Sequence, residues 1–180
     1  MTNGIASASP RLKTRIAGAF YLITVVAGTI AFVVPSAVAA GVIAGVSYIV
    51  VTLVLYLLFK PVHRNLSLLA ALLSLGGIVV GALPILKQGF DISMAFFGCY
   101  CLLIGYLVVR SALLPRIIGV LLGLGGCGYL LNSFANFLSL GFAPRLFPYA
   151  LLPGFIAETS LCLWLLIFGV NASRWELQTR

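Results

Sequence analysis

Six long apolar runs, separated by short polar links, dominate the pattern of this sequence. A helix rises about 1.5 Å per residue, so roughly 20 apolar residues cross the ~30 Å hydrocarbon core of a bilayer. The runs therefore predict six transmembrane helices in one domain, residues 16–170, after a basic segment, residues 1–15, and before a tail, residues 171–180. The predicted spans are residues 16–34, 37–59, 66–86, 92–109, 117–138 and 150–170.

The link between the fourth and fifth runs is the clearest turn in this pattern. Two apolar runs meet there across a few residues that carry Arg110 and Arg116, and Pro115 stands at the start of the second run. Proline lacks an amide hydrogen and is tolerated in the first turn of a helix. The link therefore predicts a helical hairpin that turns at a basic membrane face.

The composition excludes a soluble domain. Hydrophobic residues make up 62 % of the chain and charged residues only 8 %, whereas soluble domains carry about a quarter charged residues. In a bilayer every backbone polar group must be satisfied internally, which helices achieve. We therefore expect an all-α, polytopic membrane protein built as a compact bundle of six helices.

The basic residues lie in the links rather than along one helix face. The chain has 11 Lys and Arg against 3 acidic residues, a formal charge of +8. With the N-terminus inside, only Lys87 and Arg145 lie outside, so the positive-inside rule predicts that both termini are cytoplasmic. This pattern favours membrane lipids over nucleic acid as partners. The inner set is Arg11, Lys13, Arg15, Lys60, Arg64, Arg110, Arg116, Arg174 and Arg180.

Local signals mark several helix ends. A basic start, an apolar run and an Ala-Val-Ala sequence at residues 37–39 also fit a cleavable secretory signal. A signal core has only about 7–15 apolar residues, so the longer run favours an uncleaved first span. We expect Pro61 to end the second helix and Asp91 to cap the fourth. Residues 141–148, rich in proline and aromatic residues, predict a loop at the interface.

Small residues at four-residue spacing indicate how the helices associate. Lipid is as apolar as leucine, so close backbone contact and interhelical hydrogen bonds must hold such helices together. Each pair predicts a notch on one helix face into which another helix of the bundle packs. The alternative is that a second copy of the chain, in a homo-oligomer, or another membrane protein packs there. The pairs are Gly41 with Gly45, Gly77 with Gly81, and Gly119 with Gly123.

Cysteine and histidine form no metal or haem pattern. Cys99, Cys101, Cys127 and Cys162 lie in apolar runs, whereas His63 lies in a link. Two residues apart on a helix, Cys99 and Cys101 point about 200° away from each other. Buried free thiols behave as small hydrophobic groups. We therefore expect neither a metal nor a cofactor.

Glu158 is the only acidic residue inside a predicted span. A carboxylate in hydrocarbon costs about 2–3 kcal/mol or more, so it should face other helices and have a partner. Counted from the outer ends of the predicted spans, Glu158, Tyr100 and Asn132 lie at similar depths of about 9–12 Å. We expect a shared polar layer near the outer face, with Glu158 bonded to Asn132 or Tyr100.

Two helix faces carry this layer. Residues spaced four, three and four apart share one face of a helix, and a polar face should point inwards. We expect the faces of the fifth and sixth helices to meet. The fifth contributes Gly125, Tyr129, Asn132 and Asn136, and the sixth contributes Gly154, Glu158 and Cys162. The candidate ligand-binding residues are Glu158, Asn132, Tyr100, Asn136, Ser133 and Tyr129.

Several roles are compatible with such a layer. It can be a structural clamp that fixes helix register, or a site for a small lipophilic molecule or lipid headgroup. We do not expect catalysis, because no second acid, intramembrane histidine or nucleophile–base pair accompanies Glu158. The sequence therefore predicts a non-enzymatic binding or accessory membrane component. The alternative is a small proton- or cation-coupled transporter that uses Glu158.

Short motifs along the chain carry a family resemblance. They include RIAG at residues 15–18, KPVHR at 60–64, RS at 110–111, LPR at 114–116 and GVN at 169–171. With these motifs the chain resembles bacterial membrane proteins of domain-of-unknown-function family 4386. The resemblance implies the six-span architecture in a bacterial inner membrane and carries no established activity.

The chain departs from that family pattern in three places. The segment after the first span and the segment before the fourth span are both short here. Some relatives carry His where this chain has Tyr100, and Asp where it has Asn132. An activity that needs those loops or that His is therefore not implied for this chain.

Overall fold

A computed structural model describes residues 10–83, 89–111, 113–171 and Trp175. Within these residues the chain is all-helical, and each of its six helices is long and apolar enough to span a membrane. The predicted fold class is thereby confirmed. The helices are α1 (Pro10–Val33), α2 (Val38–Phe59), α3 (Arg64–Ala82), α4 (Gly89–Ser111), α5 (Arg116–Phe137) and α6 (Ala143–Ile167).

Two helices, α1 and α6, begin six and seven residues before their predicted spans. Helix α1 begins at Pro10, because basic residues are good helix formers and need not enter the hydrocarbon. Helix α6 begins at Ala143, so the loop predicted at residues 141–148 is wrong over most of its length. Pro144 lies in the first turn of α6, where the missing amide hydrogen is not needed.

The links are short and are closed by local hydrogen bonds. Helix α2 ends at Phe59, one turn before α3, as the proline at position 61 predicted. His63 caps α3, with its Nδ1 accepting from the Leu66 amide at 3.3 Å. Helix α4 already begins at Gly89, so Asp91 lies within its first turn rather than before it. The prediction that Asp91 is the N-cap is therefore wrong.

The six helices form a closed ring. Each helix packs on its neighbours in chain order, and α6 returns to pack on α1. Neighbours are antiparallel because the links are short. One end of the bundle therefore carries the described basic residues of the predicted inner side; we call it the basic end, and its opposite the far end. These residues are Arg11, Lys13, Arg15, Lys60, Arg64, Arg110 and Arg116.

Glycines bring several of the helices into backbone contact. A Cβ on Gly119 would meet the Gly105 carbonyl oxygen, and a Cβ on Gly125 would meet the Gly154 backbone. The α4–α5 and α5–α6 crossings therefore depend on the absence of side chains at these positions. Of the predicted small-residue positions, Gly119 packs tightly within the bundle, whereas Gly123 has no neighbouring atom within 4 Å of an added Cβ.

Candidate functional site

The centre of the ring holds a carboxylate surrounded by tyrosines. Glu158 projects from α6 and is half-buried. Tyr129 of α5 donates a short hydrogen bond to its Oε1, and the Tyr21 hydroxyl of α1 lies 3.5 Å from its Oε2. Both carboxylate oxygens are thus partnered by phenols from neighbouring helices. The predicted bond from Glu158 to Asn132 or Tyr100 is wrong.

Side-chain direction explains why Tyr129 and Glu158 meet. Side chains on a helix lean towards its N-terminus. Because α5 and α6 are antiparallel, the two side chains lean towards each other. Gly154 leaves the space between them, since a Cβ there would overlap the ring and hydroxyl of Tyr129. The predicted meeting of the α5 and α6 faces is confirmed by this contact and by the close approach of Gly125 to Gly154.

A second close crossing brings Tyr21 to the carboxylate. A Cβ on Gly18 would overlap the backbone at Leu166, so α1 and α6 touch directly at this point. The Cys162 thiol lies 3.6 Å from the Gly18 carbonyl oxygen. Tyr21 lies about one turn further along α1 and is 1 % exposed. The α1–α6 contact therefore fixes its hydroxyl beside Glu158.

Further aromatic rings extend this cluster across the bundle. Tyr48 of α2 lies 5.6 Å from Tyr21 and 6.1 Å from Tyr100 of α4, measured between ring centroids. Phe97 lies 5.3 Å from Tyr48, 5.5 Å from Tyr100 and 5.6 Å from Tyr129. These separations are typical of favourable edge-to-face and tilted ring pairs. The Tyr-Glu cluster, as we call it, comprises Tyr21, Tyr48, Phe97, Tyr100, Tyr129 and Glu158.

Several buried polar atoms in this region have no hydrogen-bond partner. They are the hydroxyls of Tyr48, Tyr100 and Thr159 and both side-chain polar atoms of Asn132. Asn132 is fully buried and lies about one turn from Tyr129 on the same face of α5. Leaving a buried polar group unpartnered costs about 1–3 kcal/mol. The region thus has more hydrogen-bonding capacity than the described residues use.

The remaining predicted site residues lie at the edge of the cluster. Asn136 is half-buried, and its Nδ2 donates to the Asn132 backbone carbonyl at 2.9 Å. Ser133 is buried on α5. The sequence reasoning missed Tyr21 and Tyr48. Their position inside an apolar run was the available signal, because a buried phenol usually needs a partner.

The cluster lies deeper than the sequence predicted. Since α6 begins at Ala143, Glu158 lies about 22 Å from the far end of its helix rather than about 9–12 Å. Tyr21, Tyr48, Tyr100 and Glu158 therefore lie near the middle of their helices, whereas Asn132 lies five residues before the end of α5 at Phe137.

The described residues bring together no group of three His, Cys, Asp or Glu side chains that could hold a metal ion. The chemistry that the cluster offers is that of one carboxylate, several phenols and aromatic faces. Such groups accept and donate hydrogen bonds and attract cations.

Comparison with known proteins identifies relatives of uncharacterised function. An uncharacterised protein of Archaeoglobus fulgidus is 27 % identical over 133 residues, covering 69 % of this chain and 78 % of that protein. No solved structure matches the chain. A family model matches residues 81–169, which include Tyr100, Tyr129 and Glu158 but not Tyr21 or Tyr48. The predicted resemblance is therefore confirmed over residues 81–169, which match the domain of unknown function DUF4386.

Proposed function

We propose that this protein is a non-enzymatic membrane component that binds a small lipophilic amine inside its helical bundle, at Glu158. One observation carries the proposal. A half-buried carboxylate lies in a cluster where two further hydroxyls, those of Tyr48 and Tyr100, have no partner. Buried polar groups are nearly always hydrogen-bonded, so unpartnered ones in one region indicate a missing partner.

The chemistry of the cluster selects the kind of ligand. A protonated amine complements the Glu158 carboxylate, and charge-assisted hydrogen bonds are stronger than neutral ones. The faces of Tyr48, Tyr100 and Phe97 attract a cation within about 6 Å of the ring centroid. Their apolar edges suit a hydrocarbon or aromatic body, which can reach the bundle through the bilayer. An anionic ligand would be repelled by Glu158.

A purely structural clamp explains less of the geometry. The bonds of Glu158 to Tyr129 and Tyr21 would suffice to hold α1, α5 and α6 in register. A clamp does not need the hydroxyl of Tyr48, which comes from α2 and lies beside Tyr21 and Tyr100 without a hydrogen bond of normal length and angle to any described residue. Replacing that hydroxyl with hydrogen would remove its desolvation cost. The clamp interpretation therefore predicts that the Tyr48 hydroxyl lowers the stability of the fold. In the binding interpretation this hydroxyl contacts the ligand.

The test measures binding of 2-phenylethylamine to the full-length protein in lipid nanodiscs by calorimetry, with 2-phenylethanol as a neutral ligand of similar shape. We expect the amine to bind and the alcohol to bind at least about tenfold more weakly. Glu158→Gln should weaken amine binding at least about tenfold, because a hydrogen bond to a charged group contributes about 1.5–3 kcal/mol. Equal binding of amine and alcohol, or no effect of Glu158→Gln, would contradict the proposal.

Tyr48→Phe provides a second variant that should remain folded. Loss of an unpartnered hydroxyl should raise stability by up to about 1 kcal/mol while weakening amine binding several-fold. Tyr106→Phe is the matched control, because Tyr106 is 49 % exposed on α4 and lies outside the Tyr-Glu cluster. If Tyr48→Phe stabilises the protein and leaves amine binding unchanged, the clamp interpretation is correct.

A proton- or cation-coupled transporter is the second candidate. Its support is that Glu158 is the only described carboxylate far from a helix end, since Asp91 lies in the first turn of α4. Acidic groups at such depths often mark ion paths. In proteoliposomes with an imposed proton gradient, uptake of 2-phenylethylamine should then require the gradient. Glu158→Gln should abolish that uptake at unchanged protein content.

A further inference from the structure

A cleft opens at the basic end of the bundle, about 9 Å along α1 and α6 from the Tyr-Glu cluster. It has a volume of about 610 Å³ and lies between the first turns of α1, the α4–α5 link and the C-terminal end of α6. Arg11 and Arg15 line one side, and Trp164 and Phe168 line another. The cleft therefore combines two guanidinium groups with an aromatic wall at a helix-bundle end.

The residues that follow α6 form the floor of this cleft. Gly169 has a φ of +67°, a left-handed conformation that glycine adopts without strain. A Cβ at this position would also meet the Thr14 hydroxyl and the Arg11 backbone. The chain then continues so that the Asn171 amide donates to the Leu113 carbonyl oxygen at 3.3 Å. These contacts fix the floor against α1 and the α4–α5 link.

The cleft is positively charged, and a hydrogen bond holds the guanidinium group of Arg15 in place. The Nε of Arg15 donates to the Leu166 carbonyl oxygen at 3.0 Å, which anchors the guanidinium at the end of α6. That bond uses one of five N–H donors and leaves the terminal nitrogens able to bind a ligand. Among the described residues that line the cleft there is no carboxylate. The planar fork of arginine matches the oxygens of a phosphate group.

The apolar wall indicates where the rest of the ligand lies. Trp164 and Phe168 pack against each other with ring centroids 4.5 Å apart. Ile167 and Phe168 are 55 % and 58 % exposed, so this rim of the cleft is continuous with the lipid-facing surface of α6. A free phosphate ion would leave that wall unused. We propose that the cleft binds the phosphate of an anionic phospholipid, with an acyl chain lying against Trp164 and Phe168.

Native mass spectrometry of the full-length protein tests this proposal. The protein in detergent is titrated with dioleoyl-phosphatidylglycerol or dioleoyl-phosphatidylcholine, and the fraction of protein with bound lipid gives each dissociation constant. We expect phosphatidylglycerol to bind about tenfold or more tightly. Arg11→Gln should weaken its binding about fivefold, and the double variant with Arg15→Gln should weaken it further. Arg11→Gln removes no described side-chain contact and should keep the fold.

Arg64→Gln is the matched control. Arg64 is exposed at the same basic end but does not line the cleft, so it reports the effect of net charge alone. Equal losses for Arg64→Gln and Arg11→Gln would overturn the proposal, as would equal affinity for the two lipids. Sodium phosphate at millimolar concentration should not displace the lipid. Displacement at that concentration would show a phosphate site without lipid specificity and would also overturn it.

Discussion

At the scale of single residues, Gly154 controls the position of another side chain. It has no side chain of its own, yet the Tyr129 ring passes through the space where its Cβ would lie. The hydrogen bond from Tyr129 to Glu158 therefore depends on a glycine one helical turn away on α6. Because interiors are close-packed, even one methyl group there has no free volume to occupy.

Gly154→Ala should destabilise the protein by about 2–4 kcal/mol. The added methyl overpacks the crossing, and displacement of Tyr129 removes a hydrogen bond to the carboxylate. The free energy of unfolding can be measured by steric trapping in detergent micelles. Gly123→Ala serves as control, because an added Cβ there meets no atom within 4 Å, and should change stability by less than about 1 kcal/mol. Similar losses for the two variants would contradict this account of the crossing.

The environment of Glu158 could be predicted from the sequence, but its hydrogen-bond partners could not. A single acid in an apolar run required partners, and this physical rule correctly predicted that Glu158 faces other helices and is hydrogen-bonded. The partners were misassigned because depth was counted from a predicted helix start that is seven residues too late. Side-chain lean was also left out of that count. Tyr21 and Tyr48 come from α1 and α2, and no local pattern relates them to α6.

At the scale of helices, the apolar runs were sufficient to identify all six elements. Their centres follow from hydropathy because the bilayer imposes a minimum length. Their ends do not, since Pro10 and Ala143 begin helices in polar or proline-rich sequence. Nor does spacing alone tell which small residues pack: Gly119 touches the α4 backbone, while an added Cβ at Gly41 makes only an ordinary contact with Ala31 at 3.8 Å.

Alanine substitutions at Gly119 and Gly41 should distinguish a glycine that packs against another helix from one that only has the expected spacing. Gly119→Ala should lower the free energy of unfolding by about 1–3 kcal/mol, because its Cβ would meet the Gly105 carbonyl oxygen and no rotamer change relieves a backbone clash. Gly41→Ala should leave unfolding in detergent nearly unchanged. If Gly41→Ala instead dissociates an oligomer detected by analytical ultracentrifugation, that notch serves contact between copies of the chain.

At the scale of the whole molecule, the two ends of the helical ring differ in charge. The described basic residues gather at the basic end, whereas Arg145 lies at the far end. The positive-inside rule then predicts that the basic end faces the cytoplasm. Hydropathy cannot determine this orientation, because an apolar span reads the same from either side.

Single cysteines test the orientation directly. Arg64→Cys should react with a membrane-impermeant maleimide only in inverted vesicles, and Arg145→Cys only in intact spheroplasts. Unsubstituted protein is the control and reports any labelling of its own four cysteines, of which Cys127 is exposed on the surface of α5. The reverse labelling pattern would show that both termini lie outside.

The return of α6 to α1 has a consequence for biogenesis. Glu158 of α6 accepts hydrogen bonds from Tyr21 of α1 and Tyr129 of α5, and both of these helices are synthesised before α6. A growing polypeptide therefore exposes phenols without their carboxylate partner in the hydrocarbon until α6 has been inserted. Chains truncated before α6 should be degraded by membrane proteases, so that insertion of α6 becomes the checkpoint for assembly of the ring.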